Sequence, residues 1–148
     1  MKKIIALIVL VMTLNSCAEK VVINREVDTT EYGKMLLGAQ SLNQFKKEPY
    51  KPWYDESYNI YPTDKPTISE LKKAKINSYN ITVFLGTWCG DSHKNFPRLM
   101  KILDETKFPE SKLHIIAVNR KKQSPNGEEV KYNITKVPTI IVKVRQRK

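Results

Sequence analysis

Cys89 has the side chain and the sequence setting for covalent chemistry. A cysteine reacts as its thiolate, and the free N–H groups and dipole at the start of a helix stabilise that anion. Cys89 follows an apolar, β-branched run and precedes residues with helical spacing, so it should lie at such a start. Ser92 would lie within hydrogen-bonding reach of the sulfur and Lys94 would add positive charge, whereas Asp91 would oppose the anion. The pattern predicts a nucleophilic thiol supported by Ser92.

The second cysteine, Cys17, ends a segment with the layout of an export signal. A basic start is followed by an apolar run over residues 4–12, which is too short to span a bilayer. Leu14, Ser16 and Cys17 resemble the lipobox of bacterial lipoproteins, in which the cysteine receives a diacylglycerol group. The alternative is an ordinary secretory signal with an incidental cysteine. Acylation of Cys17 would leave Cys89 without an intramolecular disulfide partner.

The formal net charge of the chain is +11, but its positive residues are dispersed. Compact basic clusters occur only at residues 121–122 and in the tail, 143–148. Because nucleic-acid-binding proteins concentrate positive charge on one face or helix, we expect no nucleic-acid partner. Attraction to anionic lipid head groups, or simply a soluble basic surface, are the remaining interpretations.

The sequence pattern of residues 28–76 predicts one helix before and one helix after an irregular section. Apolar residues recur three or four apart over 28–47, with Asp28 and Glu31 as a capping box, which predicts an amphipathic helix. Residues 49–66 contain five aromatic residues among four prolines, which predicts an irregular aromatic flap that covers the core or borders the site. A second capping box, Thr67 with Glu70, predicts a short helix over 67–76.

The second half of the chain alternates strand and helix signals. Buried strands are predicted over residues 81–85, 113–118 and 139–144, and an amphipathic helix follows Cys89. A turn and a short helix are expected within residues 125–133. A strand, a helix and a second strand imply a right-handed crossover, so the predicted fold class is α/β with a partly parallel, mixed central sheet flanked by helices.

Three motifs in this half resemble the thioredoxin family. The sequence Trp88-Cys89-Gly90-Asp91-Ser92 resembles the Trp-Cys-Gly-Pro-Cys active site, and Pro97 stands where thioredoxins have a helix-kinking proline. Residues 132–139, which include Val137 and Pro138, resemble the segment leading to the cis-proline. The likeness covers about residues 78–144, and it is closer to envelope thioredoxin-like lipoproteins of the TlpA/ResA type.

The resemblance implies roles for several residues. Pro138 would be cis and lie against Cys89, the backbone of Val137 would pair with an extended partner, and Trp88 would shield the thiol. Three features depart from the family pattern. Ser92 replaces the second cysteine, Val83 replaces a buried aspartate, and the last edge strand and helix are missing.

Cys89 and His93 are four residues apart and could share one helix face. Two ligands make a poor zinc or copper site, so we expect no metal and no cofactor. His93 is expected to face solvent or to tune Cys89.

These observations predict a signal peptide over residues 1–16, a lipidated tether with an N-terminal helix and an aromatic extension over 17–77, and a thioredoxin-like core over 78–148. The predicted function is thiol–disulfide exchange through the single thiol of Cys89. Its partners would be thiol- or disulfide-bearing proteins or a low-molecular-weight thiol, at a bacterial membrane to which Cys17 anchors the chain. The alternative is a redox-inactive module of the same fold that binds partner proteins.

Overall fold

The structure, a computed structural model, describes residues 22–144. Its strands are β1 (Arg25–Thr29), β2 (Gly33–Gln40), β3 (Tyr79–Leu85), β4 (Leu113–Ala117) and β5 (Thr139–Val144), and its α-helices are α1 (Lys51–Ile60), α2 (Lys65–Lys73) and α3 (Gly90–Glu105). The strands form one sheet in the order β1-β2-β4-β3-β5. No helix within residues 22–144 is both long and apolar enough to cross a membrane. The predicted signal segment, Cys17 and residues 145–148 lie outside the described residues.

The sheet is mixed, which confirms the predicted α/β class. Strands β3 and β4 are parallel, with Val83 opposite Ile115, and α3 lies in the connection between them. The other pairs, β1 with β2, β2 with β4 and β3 with β5, are antiparallel. The elements predicted in this half of the chain are confirmed, with small shifts at their ends. The predicted core begins at residue 78. Because β2 is hydrogen-bonded to β4, residues from both sides of this predicted boundary share one sheet.

Each face of the sheet has its own buried cluster, because successive side chains of a strand point to opposite faces. Ile81, Val83 and Leu85 pack with apolar residues of α1 and α3. On the other face Phe84 packs with Ile116 and Val118, and partly buried residues of the 119–138 segment and the neighbouring strands cover them.

The helix predicted over residues 28–47 is wrong. These residues form the β1–β2 hairpin, followed by a short 3₁₀ helix at Leu42–Lys46. The apolar spacing arises from three separate elements, namely the hairpin turn, β2 and the 3₁₀ helix. Gly33 and Gly38 have φ values of +67° and +75°, a backbone region that favours glycine and that an α-helix does not use. The Thr29 hydroxyl donates to the Gly33 carbonyl and accepts from the Tyr32 amide, which closes the turn.

The irregular backbone predicted over residues 49–66 is also wrong, whereas the predicted covering of the core by its aromatic residues is confirmed. Residues 51–60 form α1, because Pro49 precedes the helix, Pro52 lies in its first turn and Pro62 follows its end. Proline is compatible with a first helical turn, where its missing N–H would have no intrahelical partner. The aromatic residues of α1 pack against Phe45 and Phe96 and cover one face of the core.

Helix α2 begins two residues earlier than predicted. Its N-cap is Asp64, whose carboxylate accepts from the Thr67 amide at 2.9 Å, so the predicted capping box of Thr67 and Glu70 is wrong. Pro66 again lies in the first turn.

The segment 119–138 leads from β4 to the Val137–Pro138 pair and is held by a buried carboxylate. Glu129 accepts a hydrogen bond from the Ser124 amide at 3.0 Å and another from the Ser124 hydroxyl. Its own carbonyl accepts from the Ile134 amide. Burial acts to raise the pKa of Glu129, but the hydrogen bonds from Ser124 outweigh it and hold the pKa below its ordinary value of 4.5.

We predict that Glu129→Gln destabilises the protein by about 1–3 kcal/mol at neutral pH, because it removes hydrogen bonds to a charged acceptor. A carboxylate whose pKa is lowered by folding stabilises the native state above its unfolded pKa, and this contribution is lost as the pH falls through the folded pKa. The difference between wild type and variant should therefore shrink well below pH 4.5. Urea unfolding at neutral pH and well below pH 4.5 measures the free energy of unfolding of both proteins.

The matched control for this prediction is Glu56→Gln, at an exposed position on α1. This change should leave the free energy of unfolding within about 0.5 kcal/mol of wild type at both pH values. A Glu129→Gln difference that is the same at both pH values would contradict the assigned role.

Candidate thiol site

Cys89 is the N-cap residue of α3, at the turn that follows β3. Its amide donates to the Gly86 carbonyl at 2.9 Å, and its carbonyl accepts from the His93 amide at 3.0 Å. The side chain is half-buried and is not in a disulfide. The sulfur therefore lies at the N-terminal end of a 16-residue helix, where the helix dipole and free amides favour a negative charge.

The thiol faces the segment that precedes β5. Its Sγ donates to the Val137 carbonyl oxygen at 3.6 Å, and the Val137–Pro138 peptide bond is cis. The fold thus brings together two segments 48 residues apart in the chain. Because Val137 and Pro138 are only partly buried, this side of the thiol is open to a second molecule.

Ser92 is fully buried and points towards the end of β3. Its hydroxyl oxygen accepts from the Gly86 amide at 3.2 Å. The hydrogen bonds of the described residues include none between Ser92 and the Cys89 sulfur, so the predicted donor contact is not seen. Ser92 instead joins the first turn of α3 to the end of β3 and thereby positions the thiol turn.

Trp88 is held at one edge of its indole by a hydrogen bond and by packing on Gly86. Its Nε1 donates to the Val118 carbonyl at 2.9 Å, and the ring covers Gly86 so closely that an added Cβ would lie 2.6 Å from it. The Arg120 guanidinium lies 5.4 Å from the Trp88 ring centroid and 3.9 Å from that of Tyr32, at the hairpin turn. These contacts fix the position of the Trp88 ring. Its shielding of the Cys89 thiol stays a prediction.

His93 is half-buried, and the hydrogen bonds of the described residues include none between its ring and the Cys89 sulfur. Its ring stacks on Trp53 at 4.3 Å and 10°, and its Nε2 lies 2.7 Å from the Thr87 carbonyl oxygen. Because that oxygen only accepts, Nε2 must carry the proton of this hydrogen bond. The Thr87 hydroxyl in turn accepts from the Leu36 amide of β2 at 3.2 Å. Sequence reasoning missed this set, since no local pattern joins residues from three elements.

The charged groups near the thiol are few. Asp91 and Lys94 are exposed on the first turn of α3, and neither makes an ion pair with another described residue. Val83 is fully buried in the apolar cluster where the family pattern has an acid.

Burial, followed by the neighbouring carboxylate of Asp104, raises the pKa of Tyr58 to about 12, so this phenol of α1 stays neutral.

Residues 22–144 contain no group of three or more His, Cys, Asp and Glu side chains that could hold a metal ion. Comparison of the chain with protein-family models, curated proteins and solved structures gives no match.

We predict that Gly86→Ala destabilises the protein by about 1–3 kcal/mol, because the added Cβ overlaps the Trp88 ring. The ring must move, which breaks its hydrogen bond to Val118. Urea unfolding measures the stability. A Trp53→Phe background leaves Trp88 as the sole fluorophore of its kind, so its emission reports the displacement.

Gly90→Ala is the matched control for this substitution. A Cβ at Gly90 meets no heavy atom within 4 Å, and alanine favours a helix more than glycine. This variant should be at least as stable as wild type, with unchanged Trp88 emission. Equal behaviour of the two variants would contradict the packing of Trp88 on Gly86.

Proposed function

We propose that this chain is a thioredoxin-like protein that carries out thiol–disulfide exchange through Cys89 alone. The observation that carries the proposal is the contact of the Cys89 sulfur with the Val137 carbonyl, at a helix N-terminus. A half-buried thiol beside exposed backbone can be approached by an extended segment that presents its own sulfur. A structural cysteine requires neither the helix start nor this open side.

The first step is attack of the Cys89 thiolate on a disulfide of the partner. A new S–S bond forms between Cys89 and one partner sulfur, and the other partner sulfur leaves as a thiolate. No net oxidation occurs in this step, because one disulfide replaces another. The first turn of α3 stabilises the attacking anion, and the Gly86 amide and Ser92 hydroxyl hold that turn in place.

The second step needs an external thiol. Ser92 stands where a second cysteine would attack the mixed disulfide, and its buried hydroxyl is bonded to Gly86. A hydroxyl does not ionise near neutral pH and cannot displace a thiolate. An external thiolate therefore attacks the adduct, releases one thiolate and leaves the attacking sulfur in the new disulfide.

We predict that wild-type protein treated with glutathione disulfide forms a Cys89–glutathione adduct that persists until a reducing thiol is added. In Ser92→Cys the introduced thiol attacks the Cys89 sulfur, so glutathione leaves and an internal disulfide remains. Intact-mass spectrometry with peptide mapping distinguishes the two products. We expect the adduct to decay at least tenfold faster in Ser92→Cys, because the reaction becomes intramolecular.

Cys89→Ala is the control for the wild-type protein, since any adduct that it retains lies on Cys17. In Ser92→Cys, peptide mapping assigns the glutathione among Cys17, Cys89 and the introduced thiol. Circular dichroism of each variant establishes that it is folded. A folded wild-type protein whose Cys89 forms no adduct would overturn the exchange function. The same result would favour the redox-inactive binding module, because Ser92 supplies no second thiol at its position.

We also propose that Cys17 anchors the chain to a bacterial envelope membrane. The support is the order of a basic start, a short apolar run and Leu14, Ser16 and Cys17. Each buried methylene of an acyl chain contributes about 0.8 kcal/mol to membrane binding, and stable anchoring needs more than one chain. A diacylglycerol group on Cys17 meets this requirement.

We predict that the chain, produced in a bacterium fed an alkyne-tagged fatty acid, incorporates the tag and that Cys17→Ala does not. Cys89→Ala should retain the label, because the acyl group is attached elsewhere. In-gel detection of the tag measures both. Equal labelling of wild type and Cys17→Ala would contradict lipidation at this position.

A further inference from the structure

A groove of about 570 Å³ runs away from the thiol between α3 and β5. One wall is a stripe of α3 that includes Asp91, Arg98 and Ile102, and the other wall is Ile140 of β5. Val137 and Pro138 line the same groove, and the Val137 carbonyl accepts from the Cys89 thiol, so the groove begins beside the thiol.

The groove has an apolar wall that the described residues leave uncovered. Ile140 and Val142 are 45% and 50% exposed, and they lie on the same face of β5 because they alternate along the strand. Among the described strands β5 pairs only with β3, so its outer edge has free backbone N–H and C=O groups. An extended segment lying here can bury apolar side chains and hydrogen-bond to that edge.

The groove also has a net positive charge, because two cations and one carboxylate, that of Asp91, line it. Arg98 and Lys136 line it, and neither forms an ion pair with a carboxylate of the described residues. The Arg98 guanidinium lies over the Tyr61 ring, 5.2 Å from its centroid. The Nε of Arg98 is buried, so an incoming group would meet the terminal N–H groups of this half-buried side chain. A guanidinium that no carboxylate of the described residues holds can bind one through those groups.

We propose that this groove binds an extended segment of the partner protein, in which an acidic residue lies about four positions from the cysteine that reacts with Cys89. This inference rests on the proposed exchange function and names its class of substrate. Arg98 is nine residues beyond Cys89, which is about 13 Å along a helix. A strand covers about 3.3 Å per residue, so about four residues span that distance.

The length and charge of the groove favour an extended acidic segment over a tripeptide thiol and over a second copy of this chain. From Asp91 to Ile102 the α3 stripe runs about 16 Å, which matches five extended residues and exceeds a tripeptide thiol. A second copy of this chain would place the basic β5 segment, with Lys143 and no acidic residue, against Arg98 and Lys136. Like charges facing each other would oppose such pairing.

The test uses synthetic peptides whose cysteine is activated as an aromatic disulfide. Cys89 attacks the peptide sulfur, the new disulfide joins the peptide to Cys89, and the coloured aromatic thiolate leaves. One peptide pair has Glu or Lys four residues before the cysteine, and a second pair has them four residues after it, with apolar residues between. The rate of thiolate release is measured at low ionic strength, with the rate of Cys89→Ala subtracted.

We expect wild-type protein to react about three- to fivefold faster with the Glu peptide of one pair than with its Lys peptide, since an exposed ion pair contributes up to about that factor. Arg98→Gln should abolish the preference and Arg98→Glu should reverse it. Lys72→Gln, an equal charge change on α2, should keep it. If the Arg98 variants do not fold, Ile140→Asp at the exposed wall should abolish the preference instead.

Equal rates for Glu and Lys peptides in both pairs, or a preference that persists in Arg98→Gln, would overturn the groove proposal and leave the exchange function standing. Equally fast reaction of an activated glutathione disulfide would overturn the extended occupant. A dimer that sedimentation detects in wild type and that Ile140→Asp dissociates would assign the groove to a second copy. Failure of Cys89 to react with any activated disulfide would overturn the proposed function itself.

Discussion

The hydrogen bond from the Gly86 amide to the buried hydroxyl of Ser92 is the constraint on which the thiol site depends. It joins the residue after β3 to the first turn of α3, so the residues between them, 87–91, are held as a tight loop. Cys89 is one of these residues, and Trp88 is another. A buried amide without a partner would cost about 1–3 kcal/mol, so the loop has little freedom to rearrange. The helix start and the reactive sulfur are therefore positioned by one buried polar contact.

Contacts from distant parts of the chain converge on the same loop. The Leu36 amide of β2 bonds to the Thr87 hydroxyl, the Val118 carbonyl after β4 bonds to Trp88, and Trp53 of α1 stacks on His93. Each contact comes from a different element, and two of them come from the first half of the chain. Removal of the N-terminal half would thus expose the apolar cluster and also release two of the supports of the thiol loop.

The elements that can be predicted from the sequence are those whose apolar pattern lies within one stretch of the chain. Strand β3 and helix α3 are predictable because an unbroken apolar run and a helical repeat each lie within one element. The hairpin is not, because the apolar residues between Tyr32 and Phe45 imitate a helix while belonging to three elements. The φ requirements of Gly33 and Gly38 were the signal against that helix. Pro52 by itself suggests a break in a helix, but its position in the first turn of α1 is compatible with a helix start.

The order of the strands has a consequence for how the molecule would stand on a surface. Strand β1 forms one edge of the sheet and β5 the other, so four interstrand spacings, about 19 Å, separate them. The N-terminal segment joins the sheet at β1. A chain tethered through that segment would turn the β1 edge towards the lipid and the opposite edge towards the aqueous space. The sheet would then separate the site of membrane attachment, at the β1 edge, from the site of partner binding, at the β5 edge.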